Sequence, residues 1–115
     1  MASLYVCRVC AGHIGHPGDF EYCYTLKGIT GGVFQNLTNF HLDDDPRMDY
    51  QTIGDHKVTN VHCNTCNSLL GFKFIEVPIY EGGPCKEDFL IPLNTLFMYD
   101  GHHFLDAQTE DLIIG

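Results

Sequence analysis

Several features are scarce or absent in this 115-residue chain, and two of them exclude a class of protein. There is no tryptophan, and six Lys and Arg residues face fifteen Asp and Glu residues, for a formal net charge of -9. This balance repels phosphate backbones, and no basic stripe with interleaved aromatic residues offsets it, so we expect no direct nucleic-acid binding. No segment approaches the about 18 consecutive apolar residues that a membrane helix needs, so we expect no membrane association.

The N-terminus also lacks the features of a secretory signal. MASLYVC contains no basic region followed by a long apolar run. We therefore expect the protein in the cytoplasm, the nucleus or both, where disulfides rarely persist. The six cysteines need a different explanation.

Four of these cysteines stand in two pairs of identical spacing. Cys7 and Cys10 form CRVC, and Cys63 and Cys66 form CNTC. Two such pairs supply the four thiolates that a tetrahedral, closed structural zinc site takes. The sequence predicts one structural Zn²⁺ bound by these four residues. The alternatives are two redox-active pairs or incidental core cysteines.

The residues around each pair favour this interpretation. Gly12 follows the first pair and Asn67 the second, and both residue types tolerate the left-handed backbone of a metal-binding turn. The 52 residues between Cys10 and Cys63 form a long loop. Its closure cost grows only logarithmically with length, whereas structural zinc supplies about 10 to 16 kcal/mol in finger peptides. We expect folding to depend on metal.

The other cysteines and nearby histidines are not expected to be ligands, because four thiolates already complete a tetrahedron. Cys23 and Cys85 are isolated in sequence, and we interpret them as a buried small hydrophobic residue or a loop thiol. The histidines next to the pairs are expected to hydrogen-bond around the site or to be exposed; they are His13, His16 and His62.

Apolar residues recur with a period close to two, which predicts strands. The pattern occurs in EYCYTL, in RMDYQTI with Met48, Tyr50 and Thr52, and in LLGFKFIEV. FLIPL at Phe89–Leu93 predicts a late strand, with Pro92 placing its end at a sheet edge. Turns are predicted at Gly15–Asp19, Gly31-Gly32, Asp43–Pro46, Gly54-Asp55 and Glu81–Pro84.

Helix has little support in the sequence. Only DAQTEDLI at Asp106–Ile113 could form one short helix, or else hang free. We predict a mainly β fold of two antiparallel sheets joined by one structural zinc. The predicted domain covers residues 1–101, and residues 102–115 form a C-terminal tail.

The spacing of these motifs resembles the Yippee family. CRVC, a gap of 52 residues, CNTC and then, four residues on, GFKF correspond to the family pattern of two CxxC pairs followed by GWxY. Gly54 falls on a family glycine, and the similarity runs from about Tyr5 to Tyr99. Phe72 and Phe74 replace the family tryptophan and tyrosine, so the chain is similar to a divergent member.

The resemblance implies a β-tent fold, in which one zinc fastens two antiparallel sheets that meet at an angle. Related domains have an aromatic pocket, for which Tyr50, Phe72 and Phe74 are the candidates here, because aromatic faces can hold cations or small rings. Core packing is the other interpretation of these three residues. Some Yippee-like proteins belong to ubiquitin-ligase assemblies.

The function predicted from these observations is a non-catalytic, zinc-stabilised adaptor that binds another protein. Two alternatives remain. CAGHIGH and CNSLL resemble segments of the B-type methionine sulfoxide reductases, in which case Cys66 would be a nucleophile that needs a low pKa and a resolving thiol. The other alternative is a small-molecule sensor that uses the aromatic pocket.

Overall fold

The computed structural model describes residues 4–43, 51–78 and 83–109, and regular structure in these residues is almost entirely β-strand. No α-helix occurs in them, and the only helical pieces are two short 3-10 turns, Pro17–Asp19 and Leu93–Thr95. The predicted mainly β fold with little helix is confirmed. The strands are β1 (Leu4–Cys7), β2 (His13–Gly15), β3 (Phe20–Leu26), β4 (Ile29–Phe34), β5 (Phe40–Leu42), β6 (Gln51–Ile53), β7 (His56–Cys63), β8 (Leu69–Glu76), β9 (Phe89–Ile91), β10 (Leu96–Tyr99) and β11 (Phe104–Asp106).

The strands form two antiparallel sheets, as predicted. The small sheet has the order β11-β10-β1-β2, and the large sheet has the order β3-β4-β9-β8-β7-β5, with β6 paired to β7 beside β5. Every strand pair in the described residues is antiparallel. The chain therefore enters through the small sheet, builds the large one, and returns to the small sheet with β10 and β11.

The main core lies between the two sheets. Tyr5 from the small sheet meets Phe34 from the large one with ring centroids 5.1 Å apart, and Phe20 lies 5.4 Å from Phe34. Because side chains alternate across a strand, β9 sends Phe89 and Ile91 to this core and Leu90 to the opposite face. Residues of both sheets are thus buried against each other at a single interface.

A second, smaller core occupies the other face of the large sheet. Leu26, Val58 and Phe74 are buried there with Val33 and Leu90. The tips of two hairpins approach each other over this face, since a Cβ added to Gly54 would lie 3.0 Å from Lys27 Cε. The sheet is therefore curved, and its second face is partly closed.

The turn predicted at Gly31-Gly32 is wrong, because both glycines lie inside β4. Their lack of a side chain serves close packing instead. A Cβ on Gly31 would approach the backbone carbonyl of Ile91 to 2.7 Å, and one on Gly32 would meet the ring of Phe20 at 2.6 Å. Glycine here lets another strand and a core ring come near the backbone.

The edge position predicted for the strand around Pro92 is also wrong. β9 forms as expected, but it lies inside the large sheet, between β4 and β8. It ends at Ile91, before the proline, so that the missing N–H of Pro92 interrupts no ladder. Pro92 instead begins the 3-10 turn Leu93–Thr95, which carries the chain to the small sheet.

The remaining predictions have mixed outcomes. Strands at EYCYTL and LLGFKFIEV and the turn at Gly54-Asp55 are confirmed, and Thr52 lies in β6. Asp106 ends β11 and residues 107–109 form a turn, so the predicted helix does not begin there. The division at residue 101 stays a prediction, although Phe104–Asp106 pair with β10. Met48, Tyr50 and residues 44–46 and 81–82 of the other two predicted turns lie outside the described residues.

No helix in the described parts of the chain is long and apolar enough to cross a membrane.

Candidate metal centre

The four cysteines predicted as ligands come together where the two sheets meet. Cys7 ends β1 in the small sheet, Cys63 ends β7 in the large sheet, and Cys10 and Cys66 follow in the adjoining turns. Their Sγ atoms all lie within 4.8 Å of one another. The shortest contacts cross between the sheets, at 3.6 Å for Cys7–Cys66 and 3.5 Å for Cys10–Cys63.

This donor set fits a tetrahedral zinc ion. With Zn–S bonds of about 2.3 Å, ideal tetrahedral geometry requires sulfur atoms about 3.8 Å apart. The two crossing contacts are within a few tenths of an ångström of that value. Four thiolates also leave no open coordination position, which is typical of a structural site. The residues present could therefore hold one ion, which would tie β1 to β7.

The two cysteine turns have the same backbone construction. The N–H of Cys7 donates to the carbonyl of Gly12 at 2.8 Å, and the N–H of Cys63 donates to that of Ser68 at 2.9 Å. In each turn the residue four positions after the first cysteine has a positive φ, 62° at both Ala11 and Asn67. Local hydrogen bonding thus shapes both turns in the same way.

Of the two residues noted as tolerating a left-handed backbone, Asn67 adopts it and Gly12 does not. Ala11 has the positive φ in the first turn. Gly12 is needed for space, because a Cβ there would lie 2.9 Å from Asn39 Nδ2 and 3.3 Å from Cys10 Sγ. Its N–H also points at Cys10 Sγ, at 3.4 Å.

Asn39, in the loop between β4 and β5, contacts both turns and was missed by the sequence reasoning. Its carbonyl accepts the N–H of Asn64 at 2.8 Å, and its Nδ2 donates to Thr65 Oγ1 at 3.0 Å. The same Nδ2 is the group that packs against Gly12. Its φ of 55° is compatible with asparagine, which is the only signal in the sequence that could have marked it.

The thiols differ in how easily they lose a proton. Burial raises the pKa of Cys7 to about 12. Hydrogen bonding from the hydroxyl and the backbone N–H of Ser68 lowers the pKa of Cys66 to about 6. A bound cation favours the thiolate form of every ligand, so it would offset the cost of burying Cys7 as an anion.

The histidines near the pairs are not part of the cysteine cluster. His16 Nδ1 accepts the N–H of Gly18 at 3.0 Å, and His13 is exposed. His62 Nε2 lies 2.8 Å from Asp43 Oδ1, and its ring stacks on that of His41 with centroids 5.3 Å apart. In the described residues, only the four cysteines are grouped closely enough to hold a metal.

Cys23 and Cys85 lie outside the cluster, as expected. Cys85 is an exposed loop thiol. Cys23 lies on β3 and is also exposed, so the expectation of a buried side chain is wrong for this residue.

Two of the three candidate pocket residues lie in the described part of the chain, where Phe72 packs against the core cluster that contains Phe74. Phe74 is fully buried in the second core, and Tyr50 lies outside the described residues. Phe72 is half-buried and lines a cleft of about 310 Å³, with Ile29, Pro92 and Thr95 among its other walls. This cleft opens where β9 ends between β4 and β8.

These features define a small β domain with a Yippee-like fold and a cluster of four cysteines that could hold a metal ion. The chain is similar to the crystal structure of the Mis18 "Yippee-like" domain, with a TM-score of 0.69 over 87% of this chain and 97% of that one. The two sequences are 14% identical, so the likeness concerns the fold. No family model and no curated relative matches the sequence.

Proposed function

We propose that this chain is a non-catalytic, zinc-stabilised protein-interaction domain of the Yippee type, which acts as an adaptor in the cytoplasm or nucleus. One observation carries the proposal: four Sγ atoms from two sheets lie within 4.8 Å of one another. An ion held by all four is coordinatively closed, so it stabilises the fold and has no position for a substrate. A ubiquitin-ligase or other regulatory assembly is the setting that the family resemblance suggests.

The metal part of the proposal is tested by elemental analysis of protein purified without added chelator. We expect one zinc per chain in the wild type and in Cys85→Ser, whose thiol lies outside the cluster. Folded protein that contains no zinc or other divalent metal would contradict the proposal.

The interaction part is tested by affinity capture from a cell extract. We would compare the wild type with a variant in which two charges of the acidic sequence DDDP are reversed, Asp44→Lys with Asp45→Lys. Zinc content and melting temperature of the two proteins should agree, so that any lost partner reports on the surface. A zinc-loaded wild type that retains nothing above a folded control domain would contradict an adaptor role.

A reductase is the second candidate function, because the lowered pKa of Cys66 is a property of reactive thiols. Against it, Cys66 lies in the cluster with Cys7, and its use as a nucleophile would leave three zinc ligands. We expect the zinc-loaded protein not to reduce methionine sulfoxide in the presence of dithiothreitol. Turnover that disappears in Cys66→Ser while zinc remains bound would overturn the adaptor assignment.

Small-molecule sensing is favoured only by the cleft beside Phe72. It predicts that a fragment screen yields compounds that raise the melting temperature of the wild type and leave that of Phe72→Ala unchanged. Equal zinc contents in the two proteins are the control.

A further inference from the structure

The strand β3 is an unusual edge strand in this molecule. The sheets end at five strands, of which β2, β5, β6 and β11 have three residues each, whereas β3 has seven. In the part of the chain that the structure describes, no strand pairs with its outer side. Proteins usually keep such edges short or place lysine or proline in them, because an open edge pairs readily with another chain. β3 contains neither residue.

The hairpin that joins β3 to β4 fixes which backbone groups point outward. Lys27 and Gly28 have φ values of 49° and 84°, as in a two-residue type I′ turn. In such a turn the flanking pair, here Leu26 and Ile29, exchanges hydrogen bonds, and every second pair along the ladder does the same. The N–H and C=O groups of Cys23 and Thr25 therefore face away from β4. Both residues are exposed.

The regular part of this edge is complementary to itself. A register shift between Phe20 and Tyr22 ends the regular pairing, which leaves Tyr22–Leu26 as a straight segment of five residues. Two copies of that segment overlap fully, in antiparallel fashion, only when the two-fold axis passes through the middle residue, Tyr24. Cys23 of one copy then lies opposite Thr25 of the other, and their outward backbone groups exchange hydrogen bonds.

The charges at the ends of the segment agree with this register. Glu21 precedes it and Lys27 follows it, and both side chains are exposed. Across the two-fold axis, the end of the segment next to Glu21 in each copy meets the end next to Lys27 in the other, so the charges that flank the two copies at each end are opposite in sign. At the centre, Tyr24 of one copy lies opposite Tyr24 of the other, and at each end Tyr22 lies opposite Leu26; aromatic cross-strand pairs of this kind stabilise neighbouring strands.

We propose that the β3 edge is a self-association site, at which a second copy of this chain pairs antiparallel about Tyr24 and extends the large sheet across the dimer. The interface is isologous, because the same surface is used by both copies. It is small and depends mainly on backbone hydrogen bonds, so the dimer is weak and dependent on concentration. This inference rests on the proposed function only in that it names one partner, a second copy of the chain, for the proposed interaction domain.

The first test measures the mass of the zinc-loaded full chain by sedimentation velocity across micromolar to millimolar concentrations. We expect a monomer–dimer equilibrium in the wild type. Thr25→Pro removes an N–H that points outward and that β4 does not use, so it should leave a folded monomer. Glu21→Lys and Lys27→Glu should each weaken the dimer roughly tenfold, and the double reversal should restore it. Lys57→Glu makes the same change of charge on another strand and should have no such effect.

The register is tested by cross-linking through the natural thiol. In Thr25→Cys, mild oxidation should give a covalent dimer between Cys23 and the new cysteine, because these positions face each other in the proposed pairing. The dimer should be absent in Thr25→Cys with Cys23→Ser, in which Cys85 remains. A cross-link that persists in this double variant would contradict the register.

Zinc content and melting temperature, measured for each protein, separate the two proposals. A zinc-loaded, folded wild type that stays monomeric at millimolar concentration, or a dimer that Thr25→Pro and the charge reversals leave intact, overturns the β3 inference alone. A wild-type protein that stays monomeric and instead binds an extended segment of another protein at this edge also overturns the β3 inference alone. Folded protein that lacks metal yet forms the dimer contradicts the metal proposal alone.

Discussion

At the scale of single residues, which residue types fit near the metal centre depends on the side chains that pack against them. Asn39 hydrogen-bonds the second cysteine turn through its carbonyl and its side chain, and the same side chain packs against Gly12 of the first turn, although Asn39 is distant in sequence from both pairs. Gly12 is small because Asn39 is there. The ligands alone therefore do not account for the geometry of the centre.

Asn39→Gly tests the contribution of this side chain. Glycine accepts the φ of 55° and removes the side-chain hydrogen bond to Thr65 together with the contact with Gly12, so zinc-loaded protein should lose about 1 kcal/mol of unfolding free energy. Asn39→Ala should cost roughly 1 kcal/mol more, because alanine is strained in this conformation. Urea unfolding measures both. Asn36→Ala, an exposed change in the same loop, is the control, and an equal effect there would contradict a specific role for Asn39.

Gly31→Ala tests the close approach of β9 to β4. The new Cβ would lie 2.7 Å from the backbone of Ile91, which cannot turn aside as a side chain would. We expect a loss of about 1 to 3 kcal/mol of unfolding free energy, the usual cost of overpacking. The control is Gly28→Asn in the hairpin turn, where nothing lies within 4 Å and asparagine accepts the positive φ. Comparable urea midpoints for the two variants would show that the contact is not tight.

At the scale of elements, the 3-10 turn Leu93–Thr95 links the large sheet to the small one. It begins at Pro92, where β9 has ended, and β10 follows immediately. Thr95 Oγ1 lies 3.0 Å from the carbonyl oxygen of Leu70 in β8 and 2.8 Å from that of Pro92. The turn is thereby attached to the strand that follows the second cysteine pair.

Thr95→Val tests this attachment while keeping the shape of the side chain. The variant loses the donor to Leu70, and we expect a decrease of about 1 kcal/mol in unfolding free energy. Amide hydrogen exchange should increase in β8 near Leu70 and Gly71. Thr95→Ser retains the hydroxyl and should behave as the wild type does, so that a loss of the same size in both variants would point to packing instead.

At the scale of the whole molecule, the cysteine cluster joins segments that the chain keeps far apart. Fifty-two residues separate Cys10 from Cys63 in the sequence, yet their Sγ atoms lie 3.5 Å apart. The four sulfur atoms lie against one another, and Cys7 is buried. Metal is thus expected to contribute to folding and not only to local order.

Removal of the metal should unfold the domain. We expect excess EDTA to abolish the near-ultraviolet circular dichroism of the wild type, and added Zn²⁺ to restore it. Cys63→Ser should fold poorly and bind less than one zinc per chain, because it loses a buried ligand. Cys85→Ser should match the wild type. Native dichroism and unchanged melting in the presence of EDTA would show that the two cores hold the fold without metal.

The mainly β class and the four cysteines of the cluster could be predicted from the sequence. Alternating apolar residues and the spacing of CxxC pairs are local signals, which operate over a few neighbouring residues. Only the tertiary structure decided that Gly31 and Gly32 lie inside β4, that β9 is an interior strand, and that Ala11 rather than Gly12 adopts the left-handed backbone. Each depends on which distant segment packs nearby: Ile91 against Gly31, β4 and β8 beside β9, and Asn39 against Gly12. Such contacts are made only when the sheets assemble, and for this reason no local pattern encodes them.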